Sequence, residues 1–206
     1  MNNIIRSLIM LLASCALFAC SDKELPEDAV YDPRFPETDS IYKKANDLYG
    51  QADHVLMYNN YLAELYIQTT ADKKIQLVPN FDNVPKDLSS TFNIIRNKDG
   101  NIMYVAEFPY SEKGDWENIY ENIFDDNGDL IMFVRKSSFI QNKVPIYEKS
   151  EYFYNSEHKL VKKTYLMKYG KGIEIPQGIK VEYSYRFPYE KYKTRKKWLY
   201  AHSLDK

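Results

Sequence analysis

The chain predicts a mainly β protein: an antiparallel meander of repeated hairpins, nine to eleven strands in all, with one short N-terminal helix. Three observations predict it. From Thr91 onward, runs of Ile, Val, Tyr and Phe alternate with short polar turns, the composition that suits strands bounded by reversals. Nineteen tyrosines stand against only seven glycines. A ring that carries a wet hydroxyl fits a half-exposed sheet face first and an aromatic ligand platform second. A turn pattern then recurs three times at nearly constant spacing. Local hairpins make sequential neighbours the default pairing, and leave open whether the sheet stays open, folds as a sandwich or closes into a barrel.

Residues 1–19 form the first element. A polar start with one positive charge, Arg6, precedes an apolar run from Leu8 to Phe18, a secretory signal too short to span a bilayer. It ends in Leu17-Phe18-Ala19-Cys20, followed at once by Ser21-Asp22-Lys23-Glu24. This segment resembles the lipobox of bacterial lipoproteins, in which cleavage leaves an acylated cysteine as the new N-terminus. Phe18 departs from the small residue usual there. Leu12-Ala13-Ser14-Cys15 is a competing match, but Cys20 sits at the boundary between apolar run and charge. The resemblance implies lipidation at Cys20, attachment to the outer membrane by three acyl chains, and a mature chain free of other cysteines. The acidic stretch after Cys20 is similar to surface-export signals of Bacteroidota-type lipoproteins.

Residues 20–39, acidic and carrying Pro26, Pro33 and Pro36, read as an extended tether. The remaining 40–206 is long enough for one β-rich domain with a sizeable core. Ser40 is placed as an N-cap and Gly50 as a stop, with apolar residues at helical spacing from Ile41 to Tyr49. Strands are expected at Val55–Tyr58, Tyr61–Thr69 (where Leu62-Ala63-Glu64-Leu65-Tyr66 also fits a helix) and Ile75–Val78, and a loop around Pro79 and Pro85.

Three hairpins follow. Thr91–Ile95 and Ile102–Phe108 flank Asn97-Lys98-Asp99-Gly100. Trp116–Phe124 and Leu130–Phe139 flank Asp125-Asp126-Asn127-Gly128-Asp129. Ile146–Tyr154 and Leu160–Tyr169 flank Asn155-Ser156-Glu157-His158. In the middle copy Asn127-Gly128 predicts a two-residue turn with positive φ. Trp116, Tyr120 and Phe124 share one strand face there; Glu117, Ile119, Glu121 and Ile123 share the other. Equivalent positions lie 28 and then 30 residues apart, the mark of stacked supersecondary units. The turns resemble the YD-type hairpin repeat of secreted bacterial proteins, best carried by Phe124-Asp125-Asp126-Asn127-Gly128-Asp129-Leu130. That resemblance implies architecture and no activity. Ile179, Val181, Tyr183, Tyr185 and Phe187 alternate with polar residues and predict a half-buried strand; Trp198–His202 is expected as the last.

Function is less legible. The net charge of −1 gives no reason to expect nucleic acid, although thirteen bases against four acids fall between Lys159 and Lys206. The densest run, Lys191, Lys193, Arg195, Lys196 and Lys197, is a basic patch that could meet anionic headgroups or an acidic partner, or a lysine-guarded edge. The acidic turn fails as a calcium loop: counted from Asp125, the sixth residue is Leu130 and the twelfth Lys136, where an EF-hand needs glycine and glutamate. His54, His158 and His202 are far apart and lack metal-ligand spacing. There is no G-x-S-x-G elbow, phosphate-binding loop or mature cysteine nucleophile, so no catalytic residue, metal or cofactor is expected. Glu117, Glu121, Glu148 and Glu151 are the carboxylates that could converge for an envelope hydrolase. The leading expectation is a non-catalytic, membrane-anchored lipoprotein presenting a sheet surface to a protein or glycan. Trp116, Tyr120, Tyr183, Tyr185, Trp198 and Tyr200 are its candidate binding aromatics. The alternative is an immunity-like or envelope-structural lipoprotein.

Overall fold

A computed structural model describes residues 30–31, 38–72, 74–78, 85–111, 113–141, 144–170, 173–174 and 191–204. Its centre is one antiparallel sheet of ten strands: β1 (Val30–Tyr31), β2 (Glu64–Thr69), β3 (Gln76–Leu77), β4 (Leu88–Arg96), β5 (Ile102–Pro109), β6 (Trp116–Phe124), β7 (Leu130–Gln141), β8 (Val144–Tyr154), β9 (Leu160–Tyr169) and β10 (Ile173–Glu174). The order is β1-β9-β8-β7-β6-β5-β4-β2-β3, with β10 also on β9. Strands β4 to β9 are thus a sequential meander, as local hairpins dictate. The sheet is open: β1 and β3 end the path on opposite sides.

The three sequence repeats share one physical device. In each, an Asn or Asp side chain accepts backbone amides ahead of it: Asn97 Oδ1 from Asp99 and Asn101, Asp125 Oδ1 from Asp129, Asn155 Oδ1 from Glu157 and Lys159, all at 2.9–3.1 Å. Three residues later the backbone turns left-handed, at Gly100 (φ 78°), Gly128 (φ 87°) and His158 (φ 59°). The register then slips at the same place in every hairpin, between Ile95 and Arg96, Ile123 and Phe124, and Phe153 and Tyr154. This is the three-residue loop with a left-handed bulge residue. It corrects the expected two-residue turn: among described non-glycine residues only His158 and Ser203 have positive φ, so Asn127 does not. The Asp125 side chain supplies the closure that a second left-handed residue would have given. Phe124 and Leu130 face each other across it, as expected.

Each face of the sheet is covered. Helix α1 (Thr38–Tyr58) lies on one. Its Ala45 and Ala52 are fully buried, and Tyr42, Leu48, Tyr49, Val55 and Leu56 pack around Ile119, Ile123, Met132, Val134, Phe153 and Val161. On the other face, helix α2 (Arg195–Ala201) drives Trp198 among Phe92, Ile94, Val105, Phe124 and Phe133. Strand β6 therefore has core on both sides. That explains its mixed pattern of isoleucines and aromatics on alternate faces.

Six expectations are corrected here. Ser40 lies inside the first turn of α1, and the helix continues through Gly50 to Tyr58, so Gly50 is no stop and Val55–Tyr58 no strand. The apolar stripe at Tyr42, Ala45, Tyr49, Ala52, Val55 and Leu56 holds the helical period across the glycine. Tyr61–Thr69 splits into a 3₁₀ turn (Asn60–Leu62) and β2. Trp198–His202 is helical: Thr194 caps α2 by accepting the Lys197 amide at 3.3 Å, and Trp198 and His202 share one face as i and i+4. Val30–Tyr31, read as tether, pairs with Lys162–Lys163 of β9. Cys20 and the strand expected at Ile179–Phe187 lie outside the described residues.

Candidate functional site

The chemistry-bearing side chains of the sheet fall into two buried sets, one per face. Under α1, Glu121 is 3% exposed. It accepts hydrogen bonds from the hydroxyls of Tyr104 (2.6 Å) and Tyr49 (3.1 Å) and pairs with Lys136 Nζ at 3.1 Å. Burial pushes the Tyr49 phenol well up, with Glu121 adding to the shift and Lys136 opposing it. Lys136 and Lys149 lie 5.5 and 5.4 Å from the Tyr49 ring centre. Glu151, in the same row two strands away, is held by Lys149 at 2.5 Å and Thr164 at 2.6 Å. Lys162 sits 3.5 Å from the ring centre of Tyr42, and burial draws its ammonium below the usual range. A carboxylate that accepts three donors in a dry interface is a fixed strut for the helix.

On the α2 face, Arg135 donates to Glu148 at 2.7 Å. Burial raises Glu148, and Arg135 counters it. Glu107 is also raised by burial; its one opposing influence is the Ser90 hydroxyl, which donates at 3.1 Å. Lys191 lies 3.8 Å from the Tyr152 ring centre and is lowered by burial and by the nearby charges of Lys163 and Arg135.

The four carboxylates proposed to converge do not share one face. Glu117, Glu121 and Glu151 point toward α1, and Glu148 toward α2, as the alternation of β6 and β8 requires. Glu121 and Glu151 lie in one row with Val134 between them, about 9.6 Å apart by strand spacing, and each is held by the donors above. Burial raises Glu117, with Ser138 its hydrogen-bond donor at 3.4 Å. Among the described residues, no group of three His, Cys, Asp or Glu side chains is placed to hold a metal ion.

The candidate aromatics scatter. Tyr120 and Trp198 are buried, at 4% and 1% exposure, and so are core residues in place of the presented rings expected. Trp116 is half-buried on β6, Tyr200 is 73% exposed on α2, and Tyr183 and Tyr185 lie outside the described residues. The basic run is likewise divided. Lys193, Lys196 and Lys197 are exposed, while Lys191 and Arg195 are half-buried. Arg195 lies over Gly128 and donates to the Ile102 carbonyl at 3.3 Å, tying the C-terminal segment to the middle turn. His54 is exposed, half-buried His158 lies 3.7 Å from Asp129, and His202 stacks on Trp198 at 4.3 Å.

What sequence reasoning missed is a corner of exposed apolar groups where α1 runs toward β2: Tyr58 (71%), Tyr61 (78%) and Leu62 (54%); Leu77 (60%) is exposed separately, on edge strand β3 opposite Tyr66. The available signal was compositional. Residues 54–63, HVLMYNNYLA, carry no acid, lysine or arginine, in a chain that is 28% charged. Comparison with protein-family models, curated proteins and solved structures yields no match to this chain.

Proposed function

We propose that this protein is a non-catalytic lipoprotein, anchored to the outer membrane through Cys20, that binds a protein or glycan at the margin of its sheet. The reading moves the binding surface from the strand faces, which are core, to the corner formed by Tyr58, Tyr61 and Leu62 at the end of α1. The observation that carries it is the contrast in exposure. The interior rings of both faces are packed away, while Tyr58, Tyr61 and Leu62, close together in the chain where α1 ends, are each more than half exposed. Concentrated exposed apolar area on a folded domain marks an interaction site more often than scattered single residues do. The ionisable groups lend support of another kind, since Glu121, Glu148 and Glu151 are engaged in holding strands and helix together.

Chemical cross-linking on intact cells, with the protein recovered by affinity tag, tests this. Wild type is expected to carry a partner adduct that Tyr61→Glu/Leu62→Glu loses while keeping its thermal midpoint. Unchanged adducts in that variant would overturn the assignment of the corner. Palmitate labelling of wild type against Cys20→Ser tests the anchor, and label retained in the mutant would contradict it.

A further inference from the structure

Asparagine followed by glycine is the pair in a protein chain most open to deamidation, and the middle hairpin places one, Asn127-Gly128, at its tip. The main-chain nitrogen of Gly128 can attack Cγ of the Asn127 side chain, and a glycine has no Cβ to hinder the approach. The nitrogen gives its proton to hydroxide as the N–Cγ bond forms. The Cγ–Nδ2 bond then breaks, ammonia leaves, and a five-membered imide is closed. Water opens that ring at either carbonyl, to aspartate or to isoaspartate, whose main chain runs through the side-chain carbon. No atom is oxidised or reduced. Asn127 is exposed, so water and base reach it.

The fold holds the attacking residue from both ends. The Gly128 N–H donates to the Asp125 carbonyl at 2.9 Å, so the nitrogen that must lose its proton is already engaged. The Gly128 carbonyl accepts the Arg195 amide at 2.7 Å, and the Leu130 amide donates to the Lys193 carbonyl at 3.0 Å. Asp129 and Thr194 pair between these two bonds, which makes Lys193–Arg195 a short antiparallel strip laid along the turn. The Arg195 guanidinium closes the flank, 3.2–3.4 Å from where a Gly128 Cβ would stand. Bringing the Gly128 nitrogen onto Asn127 Cγ requires the peptide between them to rotate, and the strip resists that rotation. The other hairpins differ in instructive ways. Asp99-Gly100 can close the same ring with loss of water, and its Gly100 N–H donates to the Asn97 carbonyl at 3.0 Å, but nothing lies within 4 Å of a Cβ built at Gly100. Glu157, before His158, is one carbon too long for a five-membered ring.

We infer that Asn127 is a deamidation site kept latent by the docked C-terminal segment. Isoaspartate adds a methylene to the main chain just before the paired strip and so moves Gly128 off the Arg195 amide. Helix α2, with Trp198 in the core, follows directly from that strip, and deamidation and release of α2 therefore favour each other. The test is peptide mapping by mass spectrometry of the full chain aged in mildly alkaline buffer, folded and in urea. Asn127 should convert about tenfold or more slowly in the folded protein than in urea, because reaction must await local opening. Arg195→Pro removes the amide and the guanidinium together yet suits the helix. Position 195 is the first of α2, and Thr194 before it is already extended (φ −138°, ψ 152°). This variant should convert Asn127 about threefold or more faster than wild type when folded, with the Asp99 isomerisation rate unchanged as internal reference. Arg195→Ala, which keeps the amide, should fall between. Equal Asn127 rates in folded protein and in urea, or a wild-type rate in Arg195→Pro, would overturn the assignment. Should Arg195→Pro speed Asp99 as well, it has loosened the sheet and Arg195→Ala decides: a faster Asn127 there upholds the guarding role, and a wild-type rate removes it.

Discussion

Gly128 shows how one residue can answer two demands. Its φ of 87° is left-handed, and a Cβ there would stand 3.2–3.4 Å from the Arg195 guanidinium. Gly100, its counterpart in the first hairpin, has φ 78° and nothing within 4 Å. Ala at either site should cost about 1–2 kcal/mol for the backbone alone. Gly128→Ala should cost more than Gly100→Ala in urea unfolding, because Arg195 must also leave the Ile102 carbonyl. Arg195→Ala in both backgrounds should shrink the gap, and a gap of zero would remove the contact from the account. The third copy tolerates His158 at the same position, a permitted but strained choice, with Asp129 of the neighbouring turn 3.7 Å from its ring.

Glu107 offers a pH test on the same scale. Burial raises its folded pKa above the unfolded value. A raised carboxyl contributes stability that is full below the unfolded pKa and is lost as pH rises through the folded one. Glu107→Gln keeps an oxygen for the Ser90 hydroxyl and removes the ionisation. It should therefore raise the urea midpoint at pH 7, change little below pH ~4, and flatten the profile between. A variant less stable than wild type at pH 7 would mean that the carboxylate is needed in its charged form.

At the scale of elements, α1 is the informative case. Its glycine misled the sequence reading because glycine is the commonest helix terminator, and a glycine alone does not tell whether the next turn still has a face to bury. Ala52, Val55 and Leu56 supply that face, and tertiary packing outweighs local propensity. Since Gly50 is helical, exposed and has nothing within 4 Å of a built Cβ, Gly50→Ala should stabilise by about 0.5–1 kcal/mol. Destabilisation in thermal unfolding would indicate a left-handed cap there after all. Helix α2 misled for a related reason. Trp198, Tyr200 and His202 satisfy a period of two as readily as Trp198 and His202 satisfy i and i+4, and Thr194 as a cap was the tie-breaking signal. The hairpins, by contrast, were legible to within three residues, because asparagine or aspartate followed by a left-handed position acts locally. Their loop type was not, since it depends on side-chain acceptors that the two residues Asn127-Gly128 do not reveal by themselves.

At the scale of the molecule, the repeat builds one open sheet whose middle strands are buried on both faces and whose ends differ. At one end of the path β1 pairs with β9; the other end is the edge strand β3 beside β2. The binding residues chosen from sequence were expected strand aromatics, and two of the four described, Tyr120 and Trp198, proved to be core. Alternation tells that a residue faces one side of a sheet, but a strand pattern does not say that both sides are covered. The corner lies in a connection, where no periodicity points to it and only the missing charge does. That the partner surface is this corner is the account's central claim, and site-specific photo-cross-linking tests it most directly. Benzoylphenylalanine would replace Tyr61 in one strain and Leu160, 46% exposed at the β8–β9 turn, in another, each irradiated on intact cells. The account predicts adducts from position 61 and none from 160; adducts from 160 alone would contradict it.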